Sequence, residues 1–280
     1  MATTYKLPGG TKINRLGFGA MRITGRGIWG MPEDKPEAIR VLKRAVELGV
    51  NFIDTADAYG PNVSEELIAE ALYPYPPGLV IATKGGFLRG GPGDWRVNAD
   101  PDHLRSALEG SLKRLKLDAI DLYQLHRIDP TVPREKSFRM LQKAQEEGLI
   151  KHIGLSEVST EEIAAASDYF EVVSVQNHYN FEYRKWEPEL QYCRENGIAF
   201  IPWNPLNGKN PLAVESATAV ADKHGVSLQQ VALAWLLQHA ENIIPIPGTS
   251  KVAHLEDNMK AAELKLERVD IQILDRLGTV

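Results

Sequence analysis

Residues 50–60 read VNFIDTADAYG, and this stretch indicates how the rest of the chain is organised. It begins as a short apolar run of β-forming residues and changes abruptly to acidic, hydroxyl and glycine residues, which predicts a strand that runs out into a loop. If the strand covers residues 50–53, Asp54 lies at its carboxyl end and Tyr59 lies on the loop beyond it. An acid and a phenol placed in this way can share one pocket. Taken alone, however, a buried Tyr more often only packs, and an Asp after a strand more often caps the next helix.

The composition is that of an ordinary globular protein, since 43% of the 280 residues are hydrophobic and 25% are charged. The formal net charge is −5 with acids and bases interspersed, so we expect no nucleic-acid partner. The single Cys193 excludes an intramolecular disulfide and a cysteine-based zinc cluster, and no metal site is expected. Residues 1–6 lack a signal-peptide layout and no apolar run approaches the roughly 20 residues of a membrane span. We therefore expect a cytoplasmic protein without a membrane partner.

Predicted strands and helices alternate along the whole chain. The eight predicted strands cover residues 16–21, 50–53, 79–84, 119–125, 149–155, 171–176, 198–202 and 242–246, and a helical pattern follows each. Such alternation favours a parallel sheet, and this length fits a closed (β/α)8 barrel, which is typically about 250 residues. No Gly-x-Gly-x-x-Gly follows a strand, so the doubly wound dinucleotide-binding alternative lacks its fingerprint. We expect an α/β protein with one TIM-barrel domain over residues 1–280.

Two local signals refine this expectation. The turn residues Pro8, Gly9 and Gly10 separate two short strand-like runs, which predicts a short N-terminal β-hairpin. Ser64 precedes an apolar periodic segment and is the expected N-cap of a helix over residues 64–72.

Four polar residues are expected to meet at one end of the barrel. The carboxyl ends of all strands in such a barrel open on the same face. Asp54, Lys84 and His126 end the second, third and fourth predicted strands, and Tyr59 follows on the second loop. Each has a structural alternative, such as a rim lysine whose stem packs on apolar surface. Three titratable groups at three successive strand ends nevertheless favour a site.

The chemistry of these residues is consistent with proton transfer to a carbonyl oxygen. A phenol has a reference pKa near 10, and an ammonium about 4 Å away would favour the phenolate by up to roughly 4 kcal/mol at an effective dielectric near 20. Asp54 would hold Lys84 charged through a charge-assisted hydrogen bond, and a neutral His126 would orient the carbonyl. Tyr59 would then act as a general acid, and as a base in the reverse direction.

The later strand ends supply groups that suit a hydride-donating cofactor. Ser156, Gln176 and Asn177 carry polar groups that can hold a carboxamide, and Trp203 offers a flat face for a nicotinamide ring. Residues 248–250 precede a helix and offer backbone N–H groups to a phosphate. Lys251 and His254 can bind a further phosphate, although an ordinary helix start beside a solvated lysine is almost equally compatible with this pattern.

The chain resembles the aldo-keto reductases over nearly its whole length. The motifs that carry the resemblance occur in the family's order and are GFG at 17–19, FIDTA at 52–56 with YG at 59–60, ATK at 82–84, DLYQLH at 121–126, IGLS at 153–156, Gln176, NPL at 204–206 and IPG at 246–248. Any one of these motifs would be a weak signal, whereas their order makes the set specific.

The resemblance implies an NADPH-dependent reductase of aldehydes or ketones, with Tyr59 as proton donor supported by Lys84, Asp54 and His126. It implies that the cofactor is held by the following residues at the strand ends and on the loops beyond them. They are Gly19, Met21, Asp54, Ser156, Gln176, Trp203, Asn204, Pro205, Leu206, Ile246, Gly248, Thr249, Ser250, Lys251, His254, Asp257 and Asn258. The match is most similar to the bacterial branch that includes pyridoxal reductases.

Three departures from the family pattern bear on the cofactor. Glu157 stands where the family often has Asn, and we leave it out of the expected site. Trp203 stands where Tyr is frequent and should still stack. His254 stands where a basic residue, often Arg, is common, and Lys251 partly replaces that charge, so NADPH is expected over NADH.

The substrate pocket is expected between residues 21–31, 87–100 and 179–183 and the chain after Leu206. Trp29 and Trp95 are its expected aromatic walls, with Tyr59 and His126 at its floor. Two other functions remain open, namely a lyase that uses Lys84 as a Schiff-base nucleophile and a non-catalytic NADPH-sensing subunit. The sequence leaves the oligomeric state open, and a monomer is compatible with it.

Overall fold

The structure, a computed structural model, describes residues 3–206 and 211–278. The strands are β1 (Thr4–Lys6), β2 (Lys12–Asn14), β3 (Phe18–Gly19), β4 (Phe52–Asp54), β5 (Val80–Gly85), β6 (Phe87–Leu88), β7 (Arg96–Val97), β8 (Ile120–Leu125), β9 (Ile150–Ser156), β10 (Val172–Gln176) and β11 (Ala199–Phe200). The helices in these ranges are α1 (Lys35–Glu47), α2 (Val63–Leu72), α3 (Pro101–Leu115), α4 (Arg134–Glu146), α5 (Thr160–Ser167), α6 (Glu187–Glu195), α7 (Pro211–His224), α8 (Leu228–His239), α9 (Val252–Met259) and α10 (Arg268–Asp275). None of these helices has both the length and the apolar composition that a membrane crossing needs.

Seven strands form one curled parallel sheet in the order β11-β10-β9-β8-β5-β4-β3. All six residues of β5 and all five of β10 are buried. Complete burial is typical of parallel strands that are covered on both faces of the sheet. The alternation of strands and helices predicted from the sequence is therefore the observed arrangement of the sheet and its helices.

The predicted strand over residues 242–246 is not a regular strand in the structure, so the sheet differs from a strict eight-stranded barrel. This segment does hydrogen-bond on both sides, since Ile244 N donates to Phe200 O at 2.8 Å and Gly17 N donates to Pro245 O at 2.9 Å. Proline has no backbone N–H, so Pro245 and Pro247 each remove a donor that a regular ladder needs. The segment therefore occupies the place next to β3 and β11 without regular strand pairing.

The interior of the curled sheet is filled by apolar side chains. Phe52, Leu122 and Ile244 belong to one buried cluster, and the antiparallel pair of β1 with β2 places Ile13 in that same cluster. Burial of one such side chain contributes roughly 1.5–3 kcal/mol. The N-terminal strands thus pack against the end of the sheet opposite the strand carboxyl ends.

The start of α2 differs from the prediction and positions the loop that carries Tyr59. The helix begins at Val63, and its N-cap Asn62 makes no side-chain cap bond, so Ser64 is not the N-cap. The Ser64 hydroxyl instead donates to Ala20 O at 3.1 Å and accepts from Thr55 Oγ1 at 2.7 Å. Its backbone N–H donates to Tyr59 O. A tertiary contact has therefore replaced the expected local cap.

Candidate active site

The carboxyl ends of β4 and β5 bring Asp54 and Lys84 into direct contact. Lys84 Nζ donates to Asp54 Oδ1 at 2.5 Å, and both side chains are buried, at 0% and 2% exposure. The same ammonium donates to Thr55 O at 2.8 Å and to Tyr59 Oη at 3.3 Å. These three bonds use all the donors of a lysine ammonium, so the position of its charge beside the phenol is fixed.

The Asp54 carboxylate is fully hydrogen-bonded from inside the sheet. Its Oδ2 accepts from Gln124 Nε2 at 2.9 Å and from Gln176 Nε2 at 2.8 Å. Buried charges are tolerated only where they are paired and hydrogen-bonded. Gln124 and Gln176 therefore stabilise the carboxylate that in turn orients Lys84.

The loop beyond β4 needs a glycine after Tyr59. Gly60 has a φ of +106°, and a Cβ at this position would lie 2.4 Å from Val63 Cβ. Only glycine adopts this backbone conformation without strain. The tight turn into α2 follows from it and directs the Tyr59 ring toward the strand ends.

The protonation states in this cluster follow from burial opposed by neighbouring charges. Burial raises the pKa of Tyr59 above 10, and Lys84 acts in the opposite direction without cancelling it. Burial therefore outweighs the acidifying effect expected of Lys84, and Tyr59 holds its proton at neutral pH. Burial acts to lower the pKa of Lys84, but the Asp54 carboxylate and Tyr59 outweigh it, so the pKa is raised and the amine is charged.

His126 follows β8 and lies beside the phenol. Its ring centroid is 6.0 Å from that of Tyr59 and 4.6 Å from that of Phe87, edge-on in both cases. Burial, with the charges of Lys84 and Arg127, holds its pKa well below 6.5. The imidazole is therefore neutral, as the sequence analysis expected.

These residues lie at the floor of a cavity of about 750 Å³. Fourteen of the predicted site residues line it, and they come from the ends of the seven sheet strands, from the loops beyond them and from residues 246–248. They are Gly19, Met21, Asp54, Tyr59, Trp95, His126, Ser156, Gln176, Trp203, Asn204, Pro205, Leu206, Ile246 and Gly248. Lys84 does not line the cavity itself but contacts Tyr59, which does.

Sequence reasoning missed four residues that line the same cavity, namely Arg22, Ile28, Phe87 and Arg127. Arg127 directly follows His126, so the strand-end argument that selected His126 also applied to it. Ile28 and Phe87 lie on loops already expected to form the pocket, but nothing in their residue types distinguishes them from ordinary packing residues.

The three residues expected to hold a carboxamide differ in whether their hydrogen-bonding groups are available to a ligand. The Ser156 hydroxyl donates to the backbone oxygen of Gln176 at 2.8 Å and lines the cavity. The side-chain oxygen Oε1 of Gln176 accepts no hydrogen bond within the part of the chain that the structure describes. Asn177, in contrast, bonds through both side-chain atoms to the backbone of Val158. Asn177 is therefore a structural residue that fixes the loop after β10.

Trp203 is held as a flat wall of the cavity. His178 stacks on one of its faces with ring centroids 4.3 Å apart, and Tyr183 stacks on the other side of His178 at 4.2 Å. Glu157, the departure from the family pattern, accepts from Trp203 Nε1 at 2.7 Å and from His178 N at 2.6 Å. The carboxylate thus fixes the indole, whose second face lines the cavity.

A second cavity of about 650 Å³ continues from the first. The two share Met21, Arg22, Ile28, Trp95 and Gly248, and the second adds Thr249 and Ser250. The combined space therefore suits an elongated ligand with an anionic part beside residues 248–250. An aromatic wall, polar strand-end groups and this groove together fit a nicotinamide dinucleotide.

The remaining predicted cofactor residues lie on or next to α9, outside both cavities. Lys251 precedes the helix and is exposed, as is His254. The first N–H of the helix, on Val252, already donates to Glu37 Oε1 at 3.0 Å. Asp257 accepts from Ser227 Oγ and Gln230 Nε2, both at 2.6 Å. The last of the set, Asn258, is buried at 4% exposure.

The two expected aromatic walls have different positions. Trp95 lines the cavity with its ring edge-on to Tyr59 at 6.4 Å. Trp29 lies behind it, with the Arg89 guanidinium 5.6 Å from its ring and 3.6 Å from that of Trp95. Residues 207–210 of the expected substrate loop lie outside the described ranges.

Comparison with known proteins shows strong similarity to one family. The profile of the Aldo/keto reductase family matches residues 15–279. The chain is 52% identical over 278 residues to an uncharacterized oxidoreductase, C215.11c, of Schizosaccharomyces pombe, covering 99% of this chain and 90% of the relative. It is 44% identical over 276 residues to pyridoxine 4-dehydrogenase of Escherichia coli, covering 96% of each. The solved structure of a thermostable aldo-keto reductase, Tm1743, with the inhibitor epalrestat has a TM-score of 0.85 at 31% identity, covering 99% of this chain and 100% of that one.

Proposed function

The chain belongs to the aldo/keto reductase family, and on that premise we propose that it is an NADPH-dependent carbonyl reductase. It reduces an aldehyde or ketone to the alcohol, reversibly, with Tyr59 as the proton donor. The observation that carries the proposal is the buried ammonium of Lys84, which contacts both Asp54 Oδ1 at 2.5 Å and Tyr59 Oη at 3.3 Å at the floor of the cavity. NADPH, when bound, supplies the hydride.

Tyr59 donates its proton to the carbonyl oxygen as negative charge develops there. Its raised pKa keeps the phenol protonated before reaction, which a general acid requires. Once the proton has left, the phenolate lies 3.3 Å from the Lys84 ammonium, and this charge-assisted contact stabilises it. The ammonium therefore stabilises the transition state more than the ground state, and this difference accelerates the reaction.

His126 orients the carbonyl beside Tyr59. Its Nδ1 is buried without a hydrogen-bond partner among the described residues, so a proton there would be an unsatisfied buried donor, which is costly. The neutral ring consequently carries its proton on Nε2. That N–H donates to the carbonyl oxygen and polarises it.

The cofactor is held by Trp203, Ser156 and Gln176 at its nicotinamide end and by residues 248–251 at its phosphates. The support is the exposed face of Trp203 and the groove beside Thr249 and Ser250. Lys251 supplies the charge that favours the additional phosphate of NADPH over NADH. His254, Asp257 and Asn258 take the outer part of the cofactor.

Among small-molecule carbonyl compounds, pyridoxal is the first substrate to test, because the Escherichia coli relative is named pyridoxine 4-dehydrogenase. We also infer that the chain forms one (β/α)8 domain, in which residues 242–246 occupy the place of the eighth strand. The hydrogen bonds of this segment to Phe200 and Gly17 support that inference.

A Schiff-base lyase is the less favoured alternative. A nucleophilic lysine must lose its proton, whereas Lys84 is completely buried, bound to Asp54 and has a raised pKa. A non-catalytic NADPH-sensing subunit would keep the cofactor contacts but would not need the arrangement of Asp54, Lys84 and Tyr59.

The test combines cofactor binding with a substrate screen. We expect the purified protein to change the fluorescence of added NADPH on binding, and to oxidise NADPH faster than NADH in the presence of pyridoxal or other aldehydes and ketones. Absence of NADPH binding would refute the reductase. Binding without turnover of any carbonyl would favour the sensing subunit, and borohydride trapping of a substrate on Lys84 would favour the lyase.

A further inference from the structure

We propose that Arg127 makes this cavity selective for carbonyl compounds that carry an anionic oxygen close to the reacting carbonyl, such as 2-oxo acids. This inference rests on the proposed reductase function and names its substrate class. Arg127 follows His126 at the end of β8, lines the cavity with Tyr59 and Phe87, and is only partly exposed.

Two contacts hold the guanidinium in place. Its Nη1 donates to His126 O at 2.5 Å and to Ser156 Oγ at 2.9 Å. Its Cζ lies 5.7 Å from the centre of the Phe87 ring. Since Nη1 uses both of its protons in this way, the N–H groups on Nε and Nη2 remain, and within the described ranges they donate to no protein group. They form the planar fork that binds a carboxylate through two parallel bonds.

Among the described residues, the positive charge has no directly bonded counter-ion. Within residues 3–206 and 211–278, no carboxylate lies within 4.0 Å of the Arg127 nitrogens. Glu157 acts on this charge only from beyond that distance, and its Oε1 is bound by Trp203 Nε1 and His178 N. A half-buried charge without a partner is unfavourable, and an anionic ligand is what would compensate it. Lys84, the other cation near the phenol, is already neutralised by Asp54.

The position of Arg127 sets where the anionic oxygen lies. On the proposed function the reacting carbonyl lies between Tyr59 and His126, and Arg127 lines the same cavity as both side chains. An oxygen on the atom next to the carbonyl carbon, or on the adjacent ring position of an aromatic aldehyde, reaches the guanidinium while the carbonyl reaches the phenol. A site built to bind such a group rejects the analogue that lacks it.

The experiment compares phenylglyoxylate, an anionic 2-oxo acid, with its neutral methyl ester as substrates for wild type, Arg127→Gln and Arg127→Lys. We expect Arg127→Gln to lower kcat/KM for the acid at least about 30-fold relative to the ester, the effect typical of truncating one partner of a charged hydrogen-bonded pair. Arg127→Lys keeps the positive charge but lacks the planar fork, so its ratio of kcat/KM for the acid to that for the ester should be intermediate. The control Arg96→Gln removes an exposed guanidinium from β7, which pairs with β6. Arg96 does not line the cavity, so this variant should leave the acid-to-ester ratio of kcat/KM unchanged.

A binding measurement separates this inference from the proposed function. Titration calorimetry of the same variants with benzoate and with benzamide needs no turnover. Wild type should bind benzoate more tightly than benzamide, and Arg127→Gln should abolish this difference. Selective benzoate binding in a protein that reduces no carbonyl would refute the reductase and retain the anion site. The inference would be overturned if Arg127→Gln lost kcat/KM equally for the acid and the ester, or if wild type bound benzoate and benzamide equally. Arg127 would then only position Ser156.

Discussion

The replacement Asp57→Asn tests the electrostatics of the loop that carries Tyr59. Asp57 is 8% exposed, and its Oδ1 has no hydrogen-bond partner among the described residues. Glu65 lies nearby, fully buried and bonded to Arg114 and Thr83. Burial, followed by the charge of Glu65, raises the pKa of Asp57 from 3.8 to about 8, although Arg114 and Lys84 act in the opposite direction.

This shift makes the stability of the protein depend on pH with a defined sign. Between the two pKa values the unfolded chain has lost the Asp57 proton while the folded protein retains it, so unfolding releases a proton. The free energy of unfolding therefore falls as the pH rises from about 4 to about 8. At about 1.4 kcal/mol per pH unit, the three units between pH 5 and pH 8 correspond to an upper value of about 4 kcal/mol.

Asparagine cannot ionise, so the variant lacks this dependence. We expect the unfolding free energy of Asp57→Asn, measured relative to that of wild type, to increase by about 2–4 kcal/mol between pH 5 and pH 8. Urea denaturation followed by circular dichroism at several pH values measures this difference.

The matched control is Asp129→Asn. Asp129 is also buried, but hydrogen bonds from Thr131 hold its pKa below 3.8, so its contribution to stability is lost only under acidic conditions and its substitution should have a constant cost from pH 5 to pH 8. A difference between Asp57→Asn and wild type that does not vary with pH would refute the assignment of a neutral, buried acid at this position.

Three further sets of variants have defined outcomes. Lys84→Met leaves the Asp54 carboxylate buried without its cation, so urea denaturation should show a loss of about 3–5 kcal/mol together with loss of carbonyl reduction. Adding Asp54→Leu should recover part of that stability but not the turnover. Glu157→Gln keeps an acceptor for Trp203 Nε1 and should change NADPH affinity less than threefold, whereas Glu157→Ala should weaken it about tenfold by freeing the indole; equal effects would contradict the positioning role. Lys251→Ala should raise the Kd of NADPH about tenfold at low salt and less at high salt, with the Kd of NADH unchanged as the internal control.

The core of the candidate site was predictable because one topological rule places it. In a parallel sheet that curls on itself, every strand ends on the same face. Asp54, Lys84 and His126 therefore had to meet wherever their strands were correctly located, although the distances between them could not be predicted. An error of one or two residues in a predicted strand boundary does not change this conclusion, because it moves a side chain along the strand but not to the other end of the sheet.

Features that depend on tertiary context were not predictable in the same way. Ser64 has the residue type of a cap, but its hydroxyl is bound to the backbone oxygen of Ala20, which lies in a short 3-10 helix after β3. The prolines at 245 and 247 were visible in the sequence, yet their effect on strand pairing depends on which neighbour needs the missing donors. The pKa of Tyr59 depends on burial, which no local pattern supplies, so the sequence predicted the opposing effect of Lys84 but not the net direction.

The central claim, that Tyr59 is the proton donor, is tested most directly by Tyr59→Phe. The hydroxyl has one hydrogen bond, from Lys84 at 3.3 Å, so its removal should change the unfolding free energy by only about 1 kcal/mol. The control Tyr123→Phe removes a hydroxyl that is buried and without a partner among the described residues, and should leave turnover unchanged. We predict that Tyr59→Phe binds NADPH within threefold of wild type while kcat for carbonyl reduction falls by about 10²–10⁴. Unaltered kcat in a variant that still binds NADPH would contradict the account.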